Sequence, residues 1–472
     1  MLRARHWGLA ALLTLAAGEA GAATPAGPID GSQLSLAWAL PFAGVLLSIM
    51  ILPLASSRFW ERNFGKIALF WIAATLLPFA VAFGPAAAAQ EFLHVLLVDY
   101  VPFLVLLFSL FVVAGGINVT GNLVGTPATN LGLLAFAASA ASLIGSVGAC
   151  MLLIRPLIRA NRHRVRKAHI FIFLIFLGGN IGGSLTPLGN PPLFLGFLQG
   201  VSFAWTVTHM MAPMLLATAL LLAVFYLLDR RFAAAEPMIP EQPLPRRVEV
   251  EGMLNLLLLA GIIGAVMLSG VWESGIMLNI FGIGLPLEGV LRDVTLLVLA
   301  WLSWKTTRPR IRIENAFTWT PIQEVAILFA AIFLTMAPTL AILRAGSDGA
   351  AGGLLSQVRG ADGAPIDAAF FWLAGLLSSV LDNAPTYLVF FNVAGGDAET
   401  LMGPLSRTLL AISVGATFMG ANTYIGNAPN FMVKSICDEH RLGMPSFLGY
   451  VGWAGLFLGP LYLLLTVLFF WH

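Results

Sequence analysis

The sequence predicts an all-α polytopic membrane protein made of two inverted repeats. Each repeat has three spans, a re-entrant hairpin, a broken helix and a final span. Three observations carry this reading. Only 10% of the 472 residues are charged and 58% are hydrophobic, with a mean hydropathy of +0.89, whereas a soluble protein carries about 25% charge. Apolar stretches near the ~20-residue bilayer length recur along the chain. A Gly/Pro/Asn-rich motif occurs twice in one register. There is too little polar surface to coat a soluble globule, so a cytosolic enzyme, a nucleic-acid binder and a disordered chain are excluded. The net charge of +2 gives no steering field. Cys150 and Cys437 lie in apolar or near-apolar runs and supply neither a disulfide framework nor a metal cluster. No cofactor is expected.

Residues 1–23 read as a secretory signal: Arg3 and Arg5, an apolar run too short to span, then small residues up to Ala23. Spans follow at 34–56, 66–83, 99–117, 168–199, 206–228, 252–272, 289–304, 323–343, 408–436 and 446–470. The stretches 168–199 and 408–436 are interrupted. Two more apolar segments, 128–153 and 366–396, are broken at their centres and read as re-entrant hairpins. The organisation is therefore a first transmembrane repeat over 24–229, a cytoplasmic linker over 230–250 and a second repeat over 251–472.

Charge supports this count. With the mature N-terminus outside, the basic loops fall inside: Arg58, Arg62 and Lys66; Arg155 to Lys167; Arg230, Arg231, Arg246 and Arg247; Lys305 to Arg312. Loops 84–98 and 273–288 have no Lys or Arg and fall outside. Ten spans with two non-crossing hairpins satisfy the positive-inside rule throughout, and counting either hairpin as a span inverts everything after it. The expected location is a bacterial-type inner membrane, multi-pass, with the C-terminus outside.

The segments Gly183–Phe194 (GSLTPLGNPPLF) and Gly420–Phe431 (GANTYIGNAPNF) match at six of twelve positions, at an offset of 237. The same offset lays Ser142–Ala149 on Ser379–Thr386, both at hairpin breaks. Five crossings per half give opposite orientations. Inverted repeats with matching broken helices point to a secondary transporter with a midplane site. Residues 168–228 contain no Asp, Glu, Lys or Arg, yet they hold a Gly/Asn/Pro string from Gly178 to Pro192 that cannot stay helical. Irregular backbone at membrane depth belongs where it lines protein or a cavity. Freed carbonyls suit a cation and half-helix N-termini suit an anion. Thr186 and Asn190 in the first break, and Asn422, Thr423 and Asn427 in the second, add side-chain oxygens. The competing reading is a kink with Asn and Thr as interhelical glue; its recurrence in two symmetric places favours a site.

Asp382 is the only charge between Asp367 and Asp397, at a hairpin tip with Asn383 and Thr386 beside it. An intramembrane carboxylate costs at least ~2.5 kcal/mol at a helix centre. One such group can hold either a proton or a metal ion; it can also simply cap the second arm of the hairpin. Ser146 occupies the position equivalent to Asn383, as ligand or as packing. Asp99, Glu251, Glu273, Asp293 and Glu324 fall at span ends, where solvated faces explain them, and none of the seven histidines falls at the midplane.

With these motifs in view, the chain resembles the ion transporter superfamily containing NhaD-type sodium/proton antiporters, arsenite permeases and citrate transporters, over most of its length after the signal. The Asp382–Thr386 tip is similar to that family's Asp/Ser-Asn-x-Pro-Thr hairpin. Gly145–Leu157 resembles the first hairpin of an antiporter branch, and Gly189–Pro192 and Gly426–Pro429 resemble its two unwound helices. The resemblance implies a scaffold that forms a homodimer and a mobile transport domain working as an elevator. The first hairpin departs from the second, with Gly145-Ser146 where the other has Asp382-Asn383, which argues against a symmetric two-sodium dicarboxylate site. The leading expectation is exchange of sodium or lithium for protons, with Asp382, Asn190 and Asn427 on the sodium ion and Asn383, Thr186, Thr386, Thr423, Asn422 and Ser146 around it. The partners are the lipid bilayer and small inorganic ions. The alternative is a cation-coupled citrate, dicarboxylate or arsenite permease. An intramembrane enzyme is the weakest reading, since there is no midplane histidine and no zinc-ligand motif.

Overall fold

The computed structural model describes residues 30–471 except 122, 237–248, 316, 347–348, 356–357 and 361–362. The signal segment and most of the 230–250 linker lie outside the described residues. In the first half, α1 (Leu40–Ala55), α2 (Ser57–Phe83) and α3 (Pro85–Ala114) precede α4 (Pro127–Ala160), α5 (Ala168–Leu185), α6 (Pro191–Leu198) and α7 (Phe203–Ala234). In the second half, α8 (Leu254–Ser269), α9 (Leu287–Thr306) and α10 (Thr320–Arg344) precede α11 (Asp367–Val380), α12 (Asn383–Val393), α13 (Ser406–Phe418), α14 (Ala428–Glu439) and α15 (Phe447–Phe470). The protein is an all-α polytopic membrane protein.

Two boundaries differ most from the sequence expectation, and smaller shifts carry α4 on to Ala160 and α7 on to Ala234. Helix α2 begins at Ser57, so Arg58, Arg62 and Lys66 lie on its first turns and not in a loop. Helix α3 begins at Pro85, fourteen residues before the expected span. Its apolar window starts later because Gln90, Glu91 and His94 dilute the hydropathy without breaking the helix, and a π-helical turn at Val95–Tyr100 carries Asp99 inside it.

Among the described residues eight helices are long and apolar enough to cross a membrane, and Pro127–Ala160 is one of them. Its ends, however, meet. The Gly125 N–H donates to the Ala160 carbonyl at 2.9 Å, and the amides of Asn130 and Asn161 bond each other. The chain therefore folds back on itself at Gly145, where φ is +77° and only glycine is free of steric penalty. Helices α11 and α12 fold back in the same way, bringing the Phe370 and Phe390 rings within 6.2 Å.

The helices sort into two groups. Helices α1, α2, α3, α8, α9 and α10 pack on one another, while the hairpins, the broken helices, α7 and α15 form a second body. The two bodies meet chiefly along α3 against α4 and α10 against α12. The outer faces are apolar and exposed: on α2, Leu69, Phe70, Leu77 and Val81 stand clear of the protein.

Helix ends also sort by charge. At one end Trp60 donates to Glu324, Arg155 to the Glu314 carbonyl, and the strand β1 (Asn118–Thr120) pairs with β2 (Glu249–Glu251). At the other end Gln199 donates to Asp99 and Arg344 to Asn392, near the β3–β4 hairpin (Met277–Ile280 and Ile283–Pro286). The basic segments thus gather at one end.

This arrangement sets a topology test. Both native cysteines are buried and will not react. An impermeant maleimide should label Phe281→Cys in intact spheroplasts and Arg230→Cys only after permeabilisation. The reverse pattern would overturn the assignment of sides.

Candidate functional site

The two breaks are built alike. In the first half the Thr186 hydroxyl donates to the Ser142 carbonyl, and Ser142 Oγ donates to the Gly182 carbonyl. In the second half Thr423 Oγ1 donates to the Ser379 carbonyl at 2.6 Å, and Ser379 Oγ donates to the Met419 carbonyl at 3.0 Å. Each pair is related by the offset of 237. Hydroxyls of the first hairpin arm thereby donate to carbonyls that each break sets free, which a membrane interior requires. The glycines repeat as well. A Cβ on Gly189 would lie 2.1 Å from the Gly183 oxygen, and a Cβ on Gly426 would lie 2.6 Å from the Gly420 oxygen.

The tips differ. At Gly145 the chain turns without a side chain, and the next residue, Ser146, donates its backbone N–H to the Gly189 carbonyl at 2.9 Å. At Asp382 the half-buried carboxylate caps α12, accepting the Ala384 N–H at 3.0 Å, while Thr386 Oγ1 donates to the Asp382 carbonyl at 2.9 Å. Among the described residues no cation pairs with Asp382.

Where the breaks cross, five asparagines from both halves form one buried network. Asn180 donates to the Asn430 side-chain oxygen at 2.8 Å and to the Ile175 carbonyl. Asn427 donates to the Gly179 carbonyl and to Asn180 Oδ1, at 2.9 and 3.1 Å. Asn430 closes onto the Gly420 and Thr423 carbonyls. Asn190 donates to the Asn180 carbonyl at 3.3 Å, and Asn383 donates to Asn190 Oδ1 at 3.0 Å.

The amide orientations follow from this chain. The Asn180 carbonyl can only accept, so Asn190 must present its NH2 there and its oxygen to Asn383. Asn383 then presents its NH2 to Asn190, which leaves Asn383 Oδ1 buried and without a hydrogen-bond partner. Leaving such an atom unmatched costs about 1–3 kcal/mol.

Asp382, Asn383, Asn190 and Asn427 lie on or beside the network. Thr186, Thr386 and Thr423 tie backbone next to it. Asn422 is engaged elsewhere, between Ser379 Oγ at 2.8 Å and Tyr462 OH at 3.1 Å. Ser146 is buried and contributes a backbone bond.

Asn180 and Asn430 are not among the site residues that the sequence predicts. Their positions in the two breaks were the only available signal. Asp229 falls one residue beyond the expected span 206–228. Asp229 is fully buried on α7, and it accepts from Arg164, from Asn130 at 3.0 Å and shares a hydrogen bond with His169 at 2.8 Å. That cluster joins the base of the first hairpin to α5 and α7.

The close backbone contacts in the breaks can be tested by substitution. Gly189→Ala and Gly426→Ala should each destabilise the purified protein by about 1–3 kcal/mol, read as a lower apparent melting temperature. Gly452→Ala, with nothing within 4 Å of its added methyl, should change it little. Equal melting of all three would show that the breaks are slack.

No curated protein matches the chain. The CitMHS_2 family, described as "Putative citrate transport", matches residues 31–470. That span takes in both hairpins, both breaks and the asparagine network, and the chain accordingly belongs to this family of membrane transporters.

Proposed function

We propose that the protein is a secondary active transporter that exchanges sodium or lithium for protons at Asp382 and Asn383. The observation that carries this reading is the unmatched Asn383 Oδ1, buried next in sequence to a carboxylate that no Lys or Arg among the described residues pairs with. An amide oxygen and a carboxylate are hard oxygen ligands of the kind small cations take. Asn190 acts by orienting Asn383. A proton on Asp382 and a cation on the pair exclude each other, which is the condition for exchange.

The helix N-termini weigh the cation against an anion. Helices α6, α12 and α14 all start at the site, and their dipole ends favour negative charge. An anion also needs free N–H groups, and prolines remove them. Pro191 and Pro192 open α6, Pro385 lies in the first turn of α12 and Pro429 in that of α14. The Leu193 and Phe194 N–H groups return to the Asn190 carbonyl, and Ala384 N–H is spent on Asp382. Asp382 itself would repel a carboxylate substrate.

The second reading is a cation-coupled permease for citrate or a related anion. The family description and the three converging N-termini favour it. In either case we assign the movement to the hairpin and broken-helix body, sliding along the α3–α4 and α10–α12 seams of the other six helices in a bacterial-type inner membrane.

Proteoliposomes holding a pH dye, challenged in turn with Na⁺, Li⁺, K⁺, citrate and arsenite, separate the two. Exchange predicts a lumenal pH change on a sodium or lithium pulse alone. Apparent Na⁺ affinity should rise with pH and level off once Asp382 is ionised. Asp382→Asn should abolish the coupled signal and leave the protein folded. A near wild-type sodium response from that variant would place the proton elsewhere.

Removing the free oxygen should cost binding more than removing its support. Asn383→Ala should weaken apparent Na⁺ affinity by at least about tenfold, the scale of one charge-assisted contact. Asn190→Ala and Asn427→Ala should have smaller effects in the same direction. Unchanged affinity in all three would reduce the network to packing.

A further inference from the structure

A cavity of about 300 Å³ opens at the basic end of the molecule, away from the site above. It lies between the start of α8 and the segment that follows α9, and Gly252, Met253, Thr306, Thr307, Arg308 and Arg310 are among the residues lining it. Its wall is fixed. Asn255 donates to the Gly116 carbonyl and to Thr307 Oγ1, both at 2.9 Å, and accepts from Ser303 Oγ at 2.6 Å. Gly252, at φ +83°, sits so close to the Gly116 oxygen that no side chain fits there.

The charges are unequal in their engagement. Arg310 is held by Glu314 at 2.6 Å and faces Glu251 at 4.0 Å. Arg308 is exposed and has no ion-pair partner among the described residues, and Lys305, one turn earlier, is also exposed. No side chain caps the N-terminus of α8, and its Asn255 and Leu256 N–H groups are engaged by the Gly252 and Met253 carbonyls at 2.8 and 3.0 Å, so the cavity offers an anion its arginine side chains and not the helix end.

The surroundings are apolar and outward-facing. Met253 is 60% exposed, Leu257 71% and Ile313 76%. On a membrane helix such a face meets acyl chains. A phosphate in the cavity would therefore have hydrocarbon directly beneath it along α8, the arrangement a phospholipid provides and free phosphate does not.

We propose that this cavity binds the phosphate headgroup of an anionic phospholipid, with Arg308 as its main cation and the acyl chains along the exposed face of α8. Arg308 supplies a planar fork of donors suited to phosphate oxygens. The charge rule puts this end on the cytoplasmic side, where basic pockets between helices recognise anionic headgroups.

The test uses the full-length protein in detergent. Its apparent melting temperature is followed while phosphatidylglycerol, phosphatidylcholine or inorganic phosphate is titrated in. Phosphatidylglycerol should raise it and phosphatidylcholine should not. In the Arg308→Gln/Arg310→Gln variant the phosphatidylglycerol needed for half the effect should rise by at least about fivefold. Arg407→Gln, exposed elsewhere, should behave as wild type. Melting without lipid shows that the double variant is folded. A full response in the double variant, or none in the wild type, would overturn the proposal. Inorganic phosphate reproducing the shift would make this a small-anion site and overturn the lipid assignment.

Discussion

A bilayer offers no water to a broken helix, and this structure follows from how it meets that constraint. Each break frees carbonyls and N–H groups that would cost several kcal/mol apiece in hydrocarbon. The protein satisfies them with short side chains from the neighbouring hairpin, Ser142 and Ser379, and from the breaks themselves, Thr186 and Thr423. Short hydroxyls can do this only if the backbones come close, which is why glycines face glycines in both breaks. Polar chemistry at the centre of an apolar body is thus made affordable by close packing.

The same local construction carries two unlike tips. A glycine turn at residue 145 leaves the first tip without a titratable group, while Asp382 gives the second tip one. Ser146 is tied to the break of its own half, whereas Asn383, its counterpart at the offset, reaches across to Asn190 in the other half. Symmetry builds the frame, and its violation at one pair of residues concentrates charge and an unmatched oxygen on one side. A single ion or proton is better suited to such a place than two equivalent ions.

Buried charge at the base of the first hairpin has a different meaning. Asp229 is surrounded by Arg164, His169 and Asn130, so its lone pairs are well used. Losing one partner of such a cluster is far more damaging than the cluster's net contribution to stability. Its position at the junction of α4, α5 and α7 suits a clamp that keeps the hairpin and broken-helix body rigid while that body meets the other six helices chiefly along two seams.

Much of this was legible in the sequence. Apolar lengths, basic loops and the twofold GxxTxxGNxP pattern determine the membrane class, the element order and the two breaks, because those properties are local to a stretch of chain or to its charge. Asp382 was equally visible, since a lone charge in an apolar run cannot hide. Partnership was not legible. Asn180 meets Asn430 across 250 positions, and Asp229 meets Arg164 across 65. An asparagine in an unwound stretch reads the same whether it ties a hairpin to a neighbouring helix, as Asn422 does through Ser379 and Tyr462, or holds another amide in place, as Asn190 does with Asn383. Which amide oxygen remains free depends on the direction of every hydrogen bond in the network, and only the crossing of the two breaks in space sets that direction.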